Sequence, residues 1–254
     1  MRVRILGCGT STGVPKIGND WGQCDPEEPR NARLRTSILV ESAGNRILVD
    51  CGPDLRQQLL EAKVNRLEGV IVTHVHGDHC HGIDELRPVS QAIGGPVPLH
   101  ARSSVLDELK LRFAYAFEQS ASYRPIVEPF ELAEEVDFGE AKIRFVDQPH
   151  GGATSLGLRF DDAGFSVGYA VDFNELSDDM AALYQGVDIW VADCLTRQPH
   201  PTHMHLDGVL TAARDLRVGQ LYLVHMGNGL DYRTLAAELP DWAAPAYDGL
   251  EFGS

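Results

Sequence analysis

GVIVTHVHGDH, residues 69–79, is an apolar β-type run that empties into three histidines and an aspartate. In extended chain, residues two apart face the same way, so His74 and His76 can grip one ion, while the turn at Gly77 redirects Asp78 and His79 toward a second. Two neighbouring ions need about seven or eight protein ligands, more than this loop supplies. Other strand ends provide the remainder: KIRFVDQPH runs to His150, FSVGYAVD to Asp172 and LYLVH to His225, each a short apolar run ending in an acid or an imidazole. Strand ends along one edge of a sheet bring such residues together. Asp172 reads as the bridge, because one carboxylate has two oxygens to share. Asp50, ending RILVDC, reads as an acceptor behind the ligands that fixes an imidazole. Asp193, ending WVADC, reads either as a structural hydrogen-bond acceptor or as an active-site group. His81 and His100 are assigned no role.

Outward from these strand ends the chain alternates strands with helices. PDLRQQLLEAK, SSVLDELKLRF, LSDDMAALYQ, HLDGVLTAARDL and DYRTLAAEL carry apolar residues at three-to-four spacing after Pro, Ser, Thr or Asp, the pattern of helices of about three turns. RTSILVESAGNRILVD and SLGLRFDDAGFSVGYAV read as hairpins closed by Gly-containing turns. Hairpins mixed with helices predict an α/β chain with helices packed outside two facing mixed sheets. No repeat, low-complexity tract or Pro/Gly-rich linker interrupts residues 1–254, so one domain is expected. The segment 111–129, with FAYAFEQSASYRPIVEP, breaks the rhythm and reads equally as a lid, a subunit contact or an ordinary surface excursion.

The bulk numbers narrow the partners. A formal net charge of −15 repels polyanions, so no long nucleic acid is expected, whereas a small phosphorylated substrate can still be drawn to bound cations. No run of eighteen apolar residues is present and MRVRILGCGT is charged from its second residue, which predicts no membrane partner and a cytoplasmic location. Cys8, Cys24, Cys51, Cys80 and Cys194 are odd in number and form no CxxC pair; they read as small buried residues of a reducing compartment.

HVHGDH followed by His150, Asp172 and His225, with Asp50 before them, resembles the metallo-β-lactamase superfamily over most of the chain. That resemblance implies a four-layer αββα sandwich with the metal site at one edge of the two sheets. It implies His74, His76 and His150 on one ion, Asp78, His79 and His225 on the other, and Asp172 between them. The opening ILGCGTSTGVP, the segment HPTHMHLDGVL and the ending YDGLEF are similar to the PhnP group of cyclic phosphodiesterases. There a histidine on the late loop assists the leaving group; His203 aligns with it, and His205 is the alternative two residues on. The same similarity implies a homodimer. Where that group has a cysteine cluster and a late histidine for an extra structural zinc, this sequence has Cys24 alone and Asn228, so the extra zinc is not expected.

These readings converge on a hydrolase with two divalent ions, zinc or manganese, acting on a small phosphodiester such as a cyclic ribose phosphate or nucleotide. Asp78 would orient the attacking hydroxide and His203 would protonate the leaving oxygen. Ser11 and Thr12, in the loop Gly9–Gly13, read either as phosphate contacts or as part of a ligand-free tight turn. Arg87 and His205 are further phosphate candidates, with a structural ion pair as the other reading of the arginine. Three rivals remain open: a thioester or lactone hydrolase, a transfer-RNA 3′-processing endonuclease, and a non-enzymatic metal or nucleotide sensor.

Overall fold

In the computed structural model, which describes residues 1–119, 123–132 and 135–253, the first half of the chain and the last strand build one sheet, and the rest of the second half builds another. The first half runs β1 (Arg2–Gly7), β2 (Ser37–Ser42), β3 (Asn45–Val49), α1 (Leu55–Ala62), β4 (Gly69–Ile71), α2 (Gly77–Cys80), α3 (Arg87–Ile93), β5 (Val97–Ala101), α4 (Ser103–Arg112), α5 (Ala114–Phe117) and β6 (Val127–Glu131). The second runs β7 (Glu135–Phe138), β8 (Ala141–His150), β9 (Ala153–Asp162), β10 (Phe165–Ala170), α6 (Asp178–Tyr184), β11 (Ile189–Asp193), α7 (Leu206–Asp215), β12 (Gln220–Val224), α8 (Tyr232–Glu238), β13 (Ala243–Pro245) and β14 (Glu251–Gly253). The first sheet has the order β14-β1-β2-β3-β4-β5-β6, and the second β13-β12-β11-β10-β9-β8-β7.

Both hairpins form as their turns predict. β2 pairs antiparallel with β3 across Ala43-Gly44, and β9 with β10 across Ala163-Gly164. All four turn residues have positive φ, the requirement of the two-residue turn that matches strand twist. Beyond each hairpin the pairing becomes parallel, from β3 to β6 and from β10 to β13, with helices as crossovers.

Alternation along the central strands makes the layers. Ile38 and Val40 of β2, Ile47 and Val49 of β3 and Ile71 of β4 join Leu158, Phe160, Val167 and Tyr169 of the second sheet in one core between the sheets. Their neighbours Leu39, Leu48 and Val70 point the other way, onto Leu55 and Leu59 of α1 and Leu106 and Leu109 of α4. Both faces of these strands are buried, and a fully buried leucine such as Leu48 contributes about 1.5–3 kcal/mol. On the far side Met180 and Tyr184 of α6, Val209 and Ala213 of α7 and Leu235 of α8 cover the second sheet. The result is the αββα sandwich expected from the sequence.

No helix among the described residues is long and apolar enough to cross a membrane. All five cysteines are free and buried. Of the segment 111–129, α4 ends in it, α5 lies within it and β6 begins in it; residues 120–122 fall outside the described residues.

Candidate metal and active site

The carboxyl ends of β3, β4, β8, β10, β11 and β12 converge on one rim of the sandwich. Three residues there, Asp50, Asp172 and His225, carry left-handed backbone (φ 65°, 54° and 57°). For a non-glycine residue that conformation costs on the order of 1 kcal/mol, and here it falls where strands stop and side chains turn into the rim. The HVHGDH segment leaves β4 extended, and His76 then stands at the N-terminus of α2, whose short turn carries Asp78 and His79. The turn packs closely on the end of β3: Cys51 N–H donates to the His79 carbonyl at 2.8 Å, and Gly82 N–H to the Cys51 carbonyl at 2.8 Å.

Asp172 sits between two sets of imidazoles. Its Oδ2 lies 3.2 Å from His74 Nε2 and 3.3 Å from His150 Nε2, and its Oδ1 lies 3.5 Å from His79 Nε2 and 3.2 Å from His225 Nδ1. Asp78 Oδ2 is 3.2 Å from His79 Nε2 and 4.0 Å from His225 Nε2. His76 Nδ1 is 3.3 Å from His150 Nε2. Three neighbouring groups of donor atoms result among the described residues, His74, His76, His150 with Asp172, Asp78, His79 with His225, and an overlapping one of Asp172, His203 and His225, the atoms of each within 4.8 Å of one another.

These residues fit a cation. His74 Nε2, His79 Nε2, His225 Nδ1 and Asp172 Oδ1 are buried without a hydrogen-bond partner. Each such atom costs about 1–3 kcal/mol if left unsatisfied, and four facing one centre are explained together by divalent metal held among them. The charges agree with this. Burial alone would lower His79, but the carboxylates Asp172, Asp50 and Asp78 outweigh it and hold the imidazole well above its ordinary value. Burial works against the ionised Asp172 and Asp78, yet the surrounding imidazoles hold both below the usual carboxylate range. Burial pushes His150 and His225 down to about 4, so both are neutral donors near pH 7.

Groups behind the donors orient them. Asp50 Oδ2 accepts from His79 Nδ1 at 2.7 Å. The Thr202 carbonyl lies 2.7 Å from His150 Nδ1, which turns His150 Nε2 toward Asp172. Ser155 Oγ donates to the Asp172 carbonyl at 2.7 Å and fixes the backbone that carries the shared carboxylate. Below it, the Tyr184 hydroxyl lies 3.0 Å from both Gln148 Oε1 and the Tyr169 carbonyl and shares its one proton between these acceptors, so α6 braces the floor.

His203 lies on the β11–α7 loop, which Leu195 N–H to Met204 O (3.1 Å) and Leu206 N–H to Thr196 O (3.0 Å) clamp onto the end of β11. Its ring stacks on His225 at 5.0 Å and meets His150 edge-on at 4.8 Å. Asp193 Oδ2 is 2.8 Å from His203 Nδ1. Burial pulls His203 down, but Asp193 outweighs it and the imidazole is held above its ordinary value; burial also pushes the Asp193 carboxyl up. Asp193, readable from the sequence either way, therefore stands beside the site as the partner of His203.

A pocket of about 460 Å³ opens over the cluster, with Ser11, Gly152, Ala153, Thr202 and His203 on its walls. Ser11 reaches it because β1 ends against the far strand: Met226 N–H donates to Cys8 O, and Asp248 accepts from Cys8 N–H (3.0 Å) and Leu34 N–H (2.7 Å). The other phosphate candidates do not line this pocket. Thr12 turns its hydroxyl to the Gly13 carbonyl. His205 is the residue before α7, with its ring against Gly208. Arg87 opens α3, is 3.5 Å from Asp84, and lines a separate surface pocket with Tyr123 and Arg124. Cys24 lies outside the donor clusters found among the described residues, its Sγ 3.6 Å from the Leu230 carbonyl and 4.0 Å from Arg33 Nη1.

Comparison with known proteins gives the geometry a family. Residues 45–226 match the beta-lactamase superfamily domain. A solved diphosphatase from the PhnP family superimposes with a TM-score of 0.90 at 34% identity, over 99% of this chain and 97% of that one. An octanoyltransferase of Porphyromonas gingivalis is 30% identical across 99% of this chain and 51% of its own length. Ribonuclease Z of Salinibacter ruber is 30% identical over 115 residues, 40% of this chain and 31% of that enzyme. The chain thus spans about half the length, or less, of these curated relatives. With its strand-end His/Asp cluster, the chain belongs to the beta-lactamase superfamily and has the metallo-β-lactamase fold.

Proposed function

We propose that the chain hydrolyses a small phosphoric diester with two divalent cations, one held by His74, His76 and His150 and one by Asp78, His79 and His225, with Asp172 shared. The observation that carries this reading is the split of Asp172, whose two oxygens each face a different pair of imidazoles at 3.2–3.5 Å. Zinc and manganese both suit such a nitrogen-and-carboxylate donor set. Such cations, when bound, supply an activated water near neutral pH and positive charge against the phosphoryl oxygens.

The chain's own residues do the rest. Asp78, an acceptor on the pocket wall, orients the attacking water. Asp193 holds the Nδ1–H of His203, leaving Nε2 to carry the proton that the departing alkoxide oxygen takes up. Ser11 offers its hydroxyl to a phosphoryl oxygen, and Gly152 and Ala153 leave the opposite wall low. No lysine or arginine among the described residues lines this pocket, so the cations and the protonated His203 meet the substrate's charge. That favours a singly charged diester of modest size over a polyanion, in keeping with a net charge of −15.

The PhnP-family diphosphatase, similar along nearly its whole length, supports chemistry at phosphorus. The ribonuclease Z match covers a minority of this chain, and the octanoyltransferase name describes a protein about twice as long. A panel of bis(p-nitrophenyl) phosphate, cyclic ribose phosphates, 2′,3′- and 3′,5′-cyclic nucleotides, a lactone and S-lactoylglutathione, run on metal-loaded protein, tests the reading. Turnover confined to the phosphate esters is expected. Faster turnover of the lactone or the thioester would overturn it.

A further inference from the structure

Thr73, directly before the first histidine of the metal loop, is buried and touches two groups of opposite hydrogen-bonding character. Its Oγ1 is 3.0 Å from Asp50 Oδ2 and 2.9 Å from His74 Nδ1. The hydroxyl has one proton, and the carboxylate can only accept. Thr73 O–H therefore donates to Asp50, and its lone pair accepts from His74 Nδ1–H. That fixes one tautomer of His74, with Nε2 bare, and Nε2 is the buried partnerless atom 3.2 Å from Asp172. Asp50 is held in turn by Thr73 N–H at 2.8 Å on its other oxygen, and it accepts directly from His79 Nδ1 at 2.7 Å.

From this geometry we infer that Thr73 is a positioning residue for one half of the metal centre. Asp50 orients His79 directly and His74 only through the Thr73 hydroxyl, so a single carboxylate serves donors on both sides of Asp172. The inference rests on the two-cation reading above. It adds an asymmetry: loss of the hydroxyl loosens His74 and the ion it shares with His76 and His150, while His79 keeps its partner and the second ion stays. Loss of the Asp50 carboxylate loosens both.

The test is a chelator-competition titration of metal-free protein with Zn²⁺, with ions counted by native mass spectrometry, for wild type, Thr73→Val, Thr73→Ser and Asp50→Asn. Wild type should take up two ions. Thr73→Val, which keeps the shape and removes the hydroxyl, should bind one ion as wild type does and the other about 10–100-fold more weakly. Thr73→Ser should restore it, and Asp50→Asn should weaken both. Wild-type affinity for both ions in Thr73→Val, equal loss of both, or a serine variant as weak as the valine variant would each overturn the relay. Wild type taking up fewer than two ions would overturn the two-cation reading itself, so the two failures are distinguishable. Nitrogen-15 NMR of His74 in metal-free wild type needs no variant: the Nδ1–H tautomer is expected, and an Nε2–H tautomer contradicts the proposal.

Discussion

Both sheets are laid down strand by strand in chain order, apart from β14 beside β1, yet they furnish the rim differently. The first gives a local set, His74, His76, Asp78 and His79 within one turn, with imidazoles oriented by side chains, Asp50 and Thr73. The second gives a dispersed set, His150, Asp172 and His225 from three strand ends, with His150 oriented by a backbone carbonyl and Asp172 by a hydroxyl on its own carbonyl. A side-chain anchor can be removed by one substitution. A carbonyl anchor persists as long as its loop keeps its path, so the halves should differ in how easily they are loosened.

The largest effect is expected where the halves meet. Asp172→Ala removes the carboxylate whose two oxygens face both sets of imidazoles; turnover should fall by about 10³-fold or more, from several kcal/mol of lost charge stabilisation. His203→Ala should keep its metals while slowing esters with poor leaving groups by about 10²-fold, and activated aryl esters far less. Equal slowing of both classes would remove His203 from the acid role, and loss of metal would make it a ligand. Asp193→Asn should slow the same esters by about tenfold. Burial lowers His203 and Asp193 raises it, so removing the carboxylate lowers the imidazole pKa. The protonated fraction then falls at a given pH, and the alkaline limb of the rate profile should move toward lower pH.

Smaller effects probe the anchors. A Cβ at Gly52 would stand 2.0 Å from the Asp78 carbonyl, a backbone atom of the metal turn that cannot swing aside. Gly52→Ala should therefore cost about 1–3 kcal/mol in a denaturant melt and weaken the ion that Asp78 and His79 hold. Thr202→Ala keeps the carbonyl that holds His150 and should change metal affinity less than about twofold. A large loss there would mean that the second half leans on side chains after all.

How much of this was legible in the sequence follows the same division. HVHGDH is readable because its donors are neighbours in the chain and extended geometry fixes their relative directions. His150, Asp172 and His225 were readable only as a repeated pattern of apolar runs ending in polar groups, and the layered fold came from the same runs with their Ala-Gly turns. Asp193 has the same strand-end signature, but nothing local separates a cap from a partner of His203; only the clamp of the β11–α7 loop decides it. The Thr202 anchor is invisible because a carbonyl leaves no mark in residue identity. Arg87 follows the metal loop closely in sequence, yet it opens α3 and pairs with Asp84, away from the pocket. The edge strands VEPFE and EVDF are too polar to announce themselves.

The most direct test of the central claim is the metal count of fully loaded wild type and Asp172→Ala, with the ions located by anomalous scattering. Two ions per wild-type chain, one on each side of Asp172, and loss of at least one in the variant is the predicted result. A single ion, ions bound elsewhere, or a variant that still holds both would contradict it.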